Sequence, residues 1–532
     1  MSKQQHQIII VGAGLSGLTS AAYLTKAGYK VLLLEKNKLC GGLLNSFERN
    51  GFVFDVGARS IENAGIIRPM LKDLDIELEL LESPVSLGIE SEIINFTSTE
   101  HIQDYKGLLE KLFPENLDDI QKIITVIKKV MKDMHVIYGS DNPVFKNMQD
   151  KEYLFKELLP WFGKFLLSVS RMNRMDEPVE SFLKKKTSNQ SLVDIVDQHF
   201  FKQTPMFFAL GYFYVYLDYV YPKGGTGKLA ESIASKLIEM GGQIQIETHI
   251  NEINPSEQYL KDNKGNTYNY DKMIWCADLK SLYKYLDTTG LDHKTIDKIQ
   301  HTKEKINSRR GGDSVFTLYL GVDKPIEEFL KISNGHFFYT PSKKGMGETH
   351  RTELKSLISD FENRSKKEIL SWLDRSCELN TYEISIPALR DPKLAPEGKT
   401  GLIVNFFFEY DLIMKVKKAG WYNEFKSAVE NRILDTLETS IYPGIKEATL
   451  FRFSYTPLSI ENHNGSSEGA ITGWSYEESV PVVNNLIKIP KSVKTPIPNV
   501  LQAGQWVYSP AGIPTAILSG KYAAEALIKN WE

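Results

Sequence analysis

The sequence predicts an α/β protein in which a parallel β-α-β unit is combined with a helical region and a mixed β-sheet. A continuous run of β-branched residues at 8–11 is typical of a strand buried on both faces of a parallel sheet. Helical spacing of apolar residues follows at 15–27, and a second apolar run occupies 31–34. Strand, helix and strand therefore fit within about thirty residues, the length of a β-α-β unit.

The bulk composition is that of an ordinary globular protein. The 532 residues are too many for one hydrophobic core, so we expect two or three structural units. With 25% charged residues and a net charge of −3, the chain lacks the basic surplus of nucleic-acid-binding proteins, and no nucleic-acid partner is expected. Cys40, Cys276 and Cys377 are far apart, so neither a disulfide framework nor a metal site is predicted.

The N-terminal residues show no positively charged segment followed by a long apolar stretch, so no secretory signal is visible. The nearest approach to a membrane span, 207–217, is shorter than the roughly 20 apolar residues that cross a bilayer. We therefore expect a cytoplasmic protein.

Three glycines follow the first strand in the spacing Gly12-x-Gly14-x-x-Gly17. Gly12 permits a tight turn, Gly14 lets the backbone approach a pyrophosphate, and Gly17 lets the helix pack against the sheet. The helix N-terminus then presents free N–H groups and a partial positive charge to phosphates. The motif predicts a dinucleotide site that also includes Ala13, Leu15 and Ser16.

Glu35 ends the second strand, eighteen residues after Gly17. A carboxylate at this point accepts hydrogen bonds from ribose hydroxyls and repels a 2′-phosphate, so the site suits FAD or NAD better than NADP. Gly41 and Gly42 come shortly afterwards and either lie against the cofactor or form a plain turn.

Other candidate motifs are weaker. Residues 224–228 resemble a P-loop superficially, but the spacing is wrong and Leu229 replaces the magnesium-binding Ser or Thr, so we expect only a tight turn near the cofactor or substrate. His249 lies in a predicted strand and is interpreted as structural. His463 lies in a Gly- and Asn-rich loop and is either a site residue or a surface residue. No catalytic set is recognisable, so no catalytic residue is assigned.

The remaining elements follow from periodicity. Asn116 is a candidate cap for a helix that begins near Leu117. Two aromatic segments, 153–165 and 206–221, either form the core of a helical subdomain or line an apolar tunnel or a membrane-dipping surface, and both interpretations can hold together. Strands are predicted at 52–56, 243–250, 273–278, 315–320, 401–406 and 500–504, and a final helix at 513–528.

These pieces resemble the phytoene desaturase and carotenoid isomerase family of flavoproteins, which includes retinol saturases. The similar motifs span the whole chain. They are 11–18 (VGAGLSGL), Glu35 with Gly41 and Gly42, 51–57 (GFVFDVG), 221–227 (YPKGGTG), 276–278 (CAD), Ser385 with 391–398 (DPKLAPEG), 503–506 (AGQW), 512–516 (GIPTA) and 519–520 (SG).

The resemblance implies FAD and a Rossmann-like FAD-binding domain of the amine-oxidase type. It implies that 1–75, 221–300 and 486–532 form this domain, that 76–220 form a helical subdomain facing substrate or membrane, and that 301–485 form a substrate domain with a mixed sheet. The cofactor-binding residues that it adds to the glycines and Glu35 are Lys36, Leu43, Gly57, Ala58, Arg59, Ile250, Ala277, Gly504, Gln505, Gly512, Ile513, Pro514 and Ala516.

The resemblance also implies a long apolar tunnel for a hydrophobic polyene, isoprenoid or fatty-chain substrate, and peripheral contact with the inner face of a membrane. The implied chemistry is hydride transfer at flavin N5 on a C=C or CH–CH unit, with desaturation, saturation and isomerisation all open. Backbone N–H groups around Gly512 and Ile513 are expected to stabilise negative charge on the reduced ring. The electron partner is expected to be oxygen, a quinone or a small reductant, since no second GxGxxG is visible.

The sequence departs from the family at three places. Leu43 replaces an Arg after the second glycine pair, and Ala511 interrupts a run that usually reads Pro-Gly-Gly-Gly. Ala58, Arg59 and Ser60 replace a Gly-Pro type sequence. Arg59 is therefore a candidate to hold a substrate carboxylate or a cofactor phosphate.

Two other functions stay open. An amine-oxidase-like flavoenzyme for a smaller polar substrate shares the N-terminal motifs and would be favoured by an aromatic pair facing the flavin. A flavin-free lipid-binding chaperone resembling GDP-dissociation inhibitors shares the fold, but the intact glycines and Glu35 argue against it.

Overall fold

The structure is a computed structural model, and it describes residues 4–146, 148–347 and 349–531. Its strands are β1 (Gln4–Val11), β2 (Val31–Leu34), β3 (Ser46–Arg49), β4 (Phe52–Asp55), β5 (Ile61–Glu62), β6 (Leu80–Glu82), β7 (Val85–Ile89), β8 (Glu92–Phe96), β9 (Tyr219–Pro222), β10 (Gln243–Gln245), β11 (Ile250–Asn254), β12 (Tyr259–Asp262), β13 (Thr267–Trp275), β14 (Ser314–Val322), β15 (His336–Thr340), β16 (Tyr382–Ser385), β17 (Thr400–Phe408), β18 (Thr449–Tyr455) and β19 (Val500–Gln502).

The helices connect these strands and form a region of their own between β8 and β9. They are α1 (Leu15–Lys26), α2 (Ile67–Asp73), α3 (Ile102–Leu112), α4 (Leu117–Tyr138), α5 (Lys151–Tyr153), α6 (Leu159–Met172), α7 (Val179–Lys184), α8 (Gln190–Asp197), α9 (Met206–Val215), α10 (Lys228–Glu239), α11 (Leu279–Lys284), α12 (His293–Asn307), α13 (Ile326–Leu330), α14 (Leu354–Ser359), α15 (Lys366–Leu379), α16 (Tyr410–Lys418), α17 (Tyr422–Ser440), α18 (Ile445–Ala448), α19 (Pro457–Asn464), α20 (Ile489–Ser492) and α21 (Ile513–Trp531).

The first sheet confirms the parallel β-α-β unit at the N-terminus. Strands β10, β2, β1 and β13 lie side by side in parallel, and β19 pairs in parallel with the end of β13. The antiparallel strands β12 and β11 extend the sheet beyond the start of β13. Ile8, Ile9 and Ile10 are fully buried, as a strand covered on both faces requires.

Helix α21 returns the end of the chain to the beginning of the sheet. It packs beside α1, and the Ser20 hydroxyl donates a 2.9 Å hydrogen bond to the Gly520 carbonyl. A Cβ at Gly520 would lie 2.5 Å from the Ser16 carbonyl oxygen, so the two helices touch backbone to backbone here. The first and last segments of the chain therefore build one unit.

The second sheet is mixed, with the strand order β18-β14-β17-β16-β15-β7-β8. Strands β15 and β7 are parallel, and the other neighbours are antiparallel. Two further sheets are small and consist of β3–β4 and β5–β9–β6. The pairing of β5 with β9 places Glu62 opposite Tyr219.

The predicted strand at 243–250 is wrong in its second half. Strand β10 ends at Gln245, and Glu247 adopts a left-handed backbone conformation with φ +52°. The Glu247 N–H and the Thr248 N–H donate instead to the carbonyls of Asn37 and Glu35. His249 consequently lies in the connection between β10 and β11.

The helix predicted after Asn116 is confirmed as α4, which turns Ile120, Ile123, Ile124 and Ile127 into the core of the helical region. The Asn116 side chain makes no capping bond to the helix and donates instead to Thr187 and Asp119. None of the helices in the described parts of the chain is long and apolar enough to cross a membrane.

Candidate active site

The turn between β1 and α1 needs each of its three glycines for a separate reason. Gly12 has φ +99°, and a Cβ there would lie 3.0 Å from the Cys276 backbone. A Cβ at Gly17 would lie 1.9 Å from the Gly12 carbonyl oxygen, so helix α1 can approach the turn only with glycine. A Cβ at Gly14 would meet no protein atom within 4 Å, because that position opens onto a cavity.

The N-terminus of α1 is left open toward the same cavity. Gly14 caps the helix without a side chain, so the first N–H groups have no side-chain acceptor. Gly41 and Gly42 follow β2 with φ +120° and +60° and lie beside Gly14. The pair forms a turn, in which a Cβ at Gly41 would collide with the Leu44 carbonyl oxygen, and both glycines line the cavity, so their contact with the cofactor stays a prediction.

Glu35 holds the two loops together. One carboxylate oxygen accepts from the Ala13 N–H and the other from the Asn37 N–H, each at 2.8 Å. The side chain is buried, but it reaches the cavity wall. Each carboxylate oxygen has a second acceptor position, which suits ribose hydroxyls.

The cavity has a volume of about 1120 Å³ and runs from this turn to the second sheet. Most of the sequence-predicted cofactor residues lie on its wall, whereas Ala13 and Gly17 lie behind the turn and Pro514 borders a neighbouring pocket. The predicted residues on the wall are Gly12, Gly14, Leu15, Ser16, Glu35, Lys36, Gly41, Gly42, Leu43, Gly57, Ala58, Arg59, Ile250, Ala277, Gly504, Gln505, Gly512, Ile513 and Ala516.

The start of α21 corrects one prediction about the flavin ring. The Gly512 N–H donates a 3.0 Å hydrogen bond to the Thr515 hydroxyl, so it is not available to a ligand. Ile513 is the first residue of α21, and its N–H has no acceptor within the helix. The predicted N–H contribution at this point therefore reduces to Ile513.

Aromatic side chains form the other end of the cavity. Helix α9 contributes to two regions: Ala209, Leu210 and Phe213 pack in the helical core, while Phe208 and Tyr212 line the cavity. The second aromatic segment is therefore partly core and partly cavity wall, and its role as a substrate tunnel or membrane surface stays a prediction. The rings lining this end are Phe200, Phe201, Phe208, Tyr212, Tyr216, Tyr219, Phe338 and Phe407.

A row of polar side chains crosses the second sheet and lines the same cavity. Thr317 on β14 lies opposite Asn405 on β17, which lies opposite Glu383 on β16. The Asn405 amide donates to Glu383 at 2.8 Å, and the Arg59 Nε donates to the Asn405 carbonyl oxygen at 3.0 Å. Arg59 also donates to the Asp55 carbonyl at 2.7 Å, so its guanidinium is held within the protein.

His336 on β15 ends this polar row. It lies 2.8 Å from Glu383 through Nε2 and 2.9 Å from the Ser60 hydroxyl through Nδ1. Burial lowers the pKa of His336, so the neutral ring donates from Nε2 to Glu383 and accepts at Nδ1 from Ser60. Although burial opposes it, the hydrogen bond from His336 and the charge of Arg59 hold the pKa of Glu383 below its usual value.

A smaller pocket adjoins the cavity between α4, α6, α9 and the loop before α21. Glu62, Phe208, Tyr212 and Gly512 line both spaces, so the two meet at these residues. On the far side the pocket is bounded by Val169 and Met172 of α6.

The sequence profile of the flavin-containing amine oxidoreductases matches residues 15–528. The chain belongs to this family. The Rossmann-like, amine-oxidase-type fold is confirmed, and this flavin-containing amine oxidoreductase uses FAD. It is an FAD-dependent oxidoreductase, and the flavin-free chaperone alternative is thereby removed.

Curated relatives confirm the resemblance to carotenoid- and retinol-related flavoproteins. All-trans-retinol 13,14-reductase from Danio rerio is 23% identical over 93% of this chain and 82% of the relative. The 4,4′-diaponeurosporene oxygenase of Staphylococcus haemolyticus is 23% identical over 98% and 97%. Prolycopene isomerase 1 from an Oncidium hybrid cultivar is 22% identical over 85% and 73%.

A solved structure agrees with the fold of this amine oxidoreductase. An oxidoreductase from Methanosarcina mazei superimposes with a TM-score of 0.63 at 14% identity, covering 98% of this chain and 100% of the other. At this identity the likeness concerns the fold alone.

The residues on the cavity wall of this flavin-containing amine oxidoreductase fit the ADP half of FAD. The open backbone at Gly14 and the uncapped α1 suit a pyrophosphate, and the Glu35 carboxylate suits ribose. Leu43 also lies on the wall but brings no charge, so it cannot supply the phosphate contact that an Arg would make at that position.

Replacement of Glu35 by alanine is expected to weaken FAD binding. The change removes two hydrogen bonds that fix the phosphate turn and the predicted ribose acceptor, at about 1.5–3 kcal/mol for a charged hydrogen bond. We expect FAD affinity to fall at least about tenfold by fluorescence titration of the apoprotein. Glu48→Ala, on the exposed end of β3, is the matched control, and equal losses in both variants would contradict the role of Glu35.

Several site residues of the amine oxidoreductase were missed by the sequence. Ser60 follows Arg59 directly and Glu62 comes three residues after it, and only this proximity was available as a signal. His336, Glu383 and Asn405 come together through sheet pairing and share no spacing that sequence reasoning could use.

The two histidines considered from the sequence also reach the cavity. His249 lines it from the β10–β11 connection, with its ring 6.0 Å from that of Tyr285. His463 lies in α19, lines the cavity and stacks on Tyr455 at 5.9 Å. The prediction that His249 lies in a strand is therefore wrong, its structural role stays a prediction, and His463 is a wall residue.

The described parts of the amine oxidoreductase hold no group of His, Cys, Asp or Glu side chains suited to a metal ion. The cavity wall contains aromatic pairs, such as Tyr216 with Phe338 at 5.3 Å and Phe201 with Phe407 at 5.1 Å between ring centroids. The alternative of an amine-oxidase-like enzyme for a smaller substrate therefore stays open.

Proposed function

We propose that the protein transfers hydride between FAD and a C=C or CH–CH unit of a hydrophobic polyene, isoprenoid or fatty-chain substrate. The observation that supports this most strongly is the continuity of the cavity. The wall with the cofactor residues leads without interruption into a space bounded by aromatic rings. Such rings suit an extended apolar chain, because they remove its surface from water and stack on conjugated bonds.

When bound, FAD supplies the two-electron acceptor or donor of the reaction. The chain's own residues then position the substrate, exclude water and tune charge. The aromatic end holds the apolar chain, and the N–H of Ile513 at the start of α21 supports negative charge near it. The polar row from Arg59 to His336 keeps a fixed pattern of charge on one wall.

The relatives support the proposed substrate class through their names. A retinol reductase, a diaponeurosporene oxygenase and a prolycopene isomerase are all named for conjugated apolar compounds. The same names include a reductase, an oxygenase and an isomerase, so they do not fix the direction of the reaction. The experiment is therefore designed to detect each of these outcomes.

The test uses the FAD-loaded protein with all-trans-retinol and 4,4′-diaponeurosporene in lipid vesicles, aerobically and after anaerobic reduction by dithionite. Products are separated by chromatography, and their masses are measured by mass spectrometry. We expect a gain or loss of two hydrogens, or a changed isomer of equal mass, in at least one condition. Conversion of putrescine or benzylamine with no conversion of either polyene would overturn the proposal in favour of an amine oxidase.

We further propose that α6 contacts a membrane surface peripherally. Leu159, Phe162 and Leu166 on α6 are all exposed, at 58%, 47% and 40%, and so is Phe155, at 67%, in the π-helical turn that leads into α6. The next turns of the same helix, at Val169 and Met172, border the pocket that joins the cavity at Glu62. An apolar substrate leaving the bilayer beneath α6 would therefore enter the cavity through this pocket.

The double variant Leu159→Asp, Phe162→Asp is expected to weaken binding to anionic lipid vesicles. Burying the two side chains contributes about 1.5–3 kcal/mol each, so affinity should fall more than about tenfold in a sedimentation assay. Ile238→Asp, equally exposed at 59% on α10, is the matched control. If the double variant bound vesicles as the wild type does, the membrane role would be contradicted. Light scattering that shows a dimeric wild type and a monomeric double variant would also contradict it, because the exposed side chains would then form a contact between two copies of the chain.

A further inference from the structure

Glu62 occupies the junction of the two spaces. It lies on β5, two residues after Ser60, and lines both the main cavity and the pocket that leads to α6. Its Oε2 atom is shielded from solvent and has no hydrogen-bond partner among the described residues. A buried, unpaired carboxyl oxygen is costly and requires an explanation.

The surroundings of Glu62 favour the neutral acid. Burial raises its pKa to about 7, and the negative charges of Asp218 and Glu383 add to the effect. Five titratable groups interact with it, from four segments of the chain. They are Tyr138 at the end of α4, Tyr212 on α9, Asp218 before β9, Tyr219 on β9 and Glu383 on β16.

Glu62 and Glu383 are two carboxyl groups with opposite environments. Glu383 accepts hydrogen bonds on both oxygens, from His336 and Asn405, and is held ionised. Tyr219 lies between the two acids, opposite Glu62 in the sheet and stacked on His336 at 5.2 Å. Neighbouring carboxyls whose protonation states are pushed apart commonly divide the roles of proton donor and fixed charge.

We propose that Glu62 is the catalytic residue that exchanges the proton accompanying hydride transfer, a role that rests on the proposed function. In the reducing direction, hydride from reduced FAD forms one new C–H bond at the C=C unit. The Glu62 O–H bond breaks, and its proton forms the second C–H bond on the neighbouring carbon. The products are the saturated CH–CH unit, oxidised FAD and the Glu62 carboxylate. Desaturation runs through the same bonds in reverse, with the carboxylate accepting the proton.

Other buried groups at the cavity are less suited to this step. Glu383 is ionised and accepts a hydrogen bond on each oxygen, and both nitrogens of His336 are engaged. Burial lowers the pKa of His199 to about 4, so the ring is neutral at pH 7 and lacks the acidic proton of an imidazolium. Burial raises the pKa values of Tyr212 and Tyr219 far above their usual range.

The protonation of Glu62 is testable without turnover. A carboxyl whose pKa rises from 4.5 in the unfolded chain to about 7 in the folded protein stabilises the fold fully below pH 4.5. That stabilisation is lost as the pH rises through about 7. The Tm of the FAD-loaded wild type minus the Tm of Glu62→Gln should therefore decrease as the pH rises from 4.5 to about 7. The exposed Glu77→Gln variant should give a flat difference, and a flat difference for Glu62→Gln overturns the proposal.

The role in the reaction is tested with 4,4′-diaponeurosporene and all-trans-retinol. Glu62→Gln should bind FAD and polyene as the wild type does but convert polyene about 100-fold or more slowly, because general acid catalysis contributes on this scale. Glu62→Asp should recover part of the rate. Reduction by the wild type in D₂O should place solvent deuterium on both carbons, because the flavin N5–H also exchanges with solvent. If the wild type converts a polyene and Glu62→Gln matches it, this role is wrong. If the wild type converts none, the proposed function itself fails.

Discussion

Gly17→Ala is expected to lower the free energy of unfolding by about 3 kcal/mol or more. The added Cβ would lie 1.9 Å from the Gly12 carbonyl oxygen, which belongs to a backbone turn that cannot move aside as a flexible side chain would. Relief requires α1 to shift away from β1 and therefore from α21, which packs beside it. Urea unfolding followed by circular dichroism measures the effect, and FAD should be lost together with the fold.

Gly107→Ala is the control for this prediction. Gly107 lies on the exposed face of α3, and a Cβ there would meet nothing within 4 Å. Glycine in a helix interior destabilises by about 0.5–1 kcal/mol relative to alanine, so this variant should be slightly more stable. A Gly17→Ala protein as stable as Gly107→Ala would show that the βα turn is not packed as described.

Gly14→Ala is expected to separate cofactor binding from folding. The Gly14 backbone, with φ −70°, suits any residue, and its Cβ would meet no protein atom within 4 Å. The methyl group would instead occupy the cavity where the pyrophosphate must approach the backbone. We expect unfolding of the apoprotein within about 0.5 kcal/mol of wild type and FAD affinity reduced about 100-fold, close to 3 kcal/mol.

Titration of the apoprotein with FAD, monitored by flavin fluorescence, measures this loss. Gly28→Ala is a useful comparison, because Gly28 also lies in the β-α-β unit but follows α1 on the side away from the cavity. It should lose some stability through its φ of +90° and retain FAD affinity. Unchanged FAD affinity in Gly14→Ala would place the pyrophosphate elsewhere.

The parts of the fold that sequence could predict are those governed by local rules. The buried strand, the three glycines and Glu35 each act over a few residues, so their spacing carries the geometry. The structure bears this out at Gly12, whose φ of +99° only glycine adopts readily, and at Glu35, which reaches back to the Ala13 N–H. The division of the chain into five segments stays a prediction, supported by the sharing of one sheet by β1, β10, β13 and β19.

The parts that sequence missed depend on contacts between distant segments. The alternation of residue types continues to residue 250, but the strand ends earlier. Glu247 has a left-handed backbone conformation, and its N–H donates a hydrogen bond to the Asn37 carbonyl instead of to a neighbouring strand. The polar row formed because sheet pairing placed Glu383 beside Asn405 and His336, which no motif links. The Gly512 N–H is not free to bind a ligand, because it donates a hydrogen bond to the hydroxyl of Thr515 in the first turn of α21.

The decisive measurement is the absorption spectrum of the FAD-loaded protein, recorded anaerobically before and after addition of 4,4′-diaponeurosporene, with the flavin first oxidised and then reduced. We predict that in one flavin state the absorption band of the polyene shifts, because the number of its conjugated double bonds changes. The flavin bands should bleach or return at the same time, with one flavin reduced or oxidised for each polyene converted. In the isomerisation case, the polyene band moves only with reduced flavin. Flavin bands that respond to a small amine, while the polyene band stays unchanged in both flavin states, would contradict action on an apolar polyene.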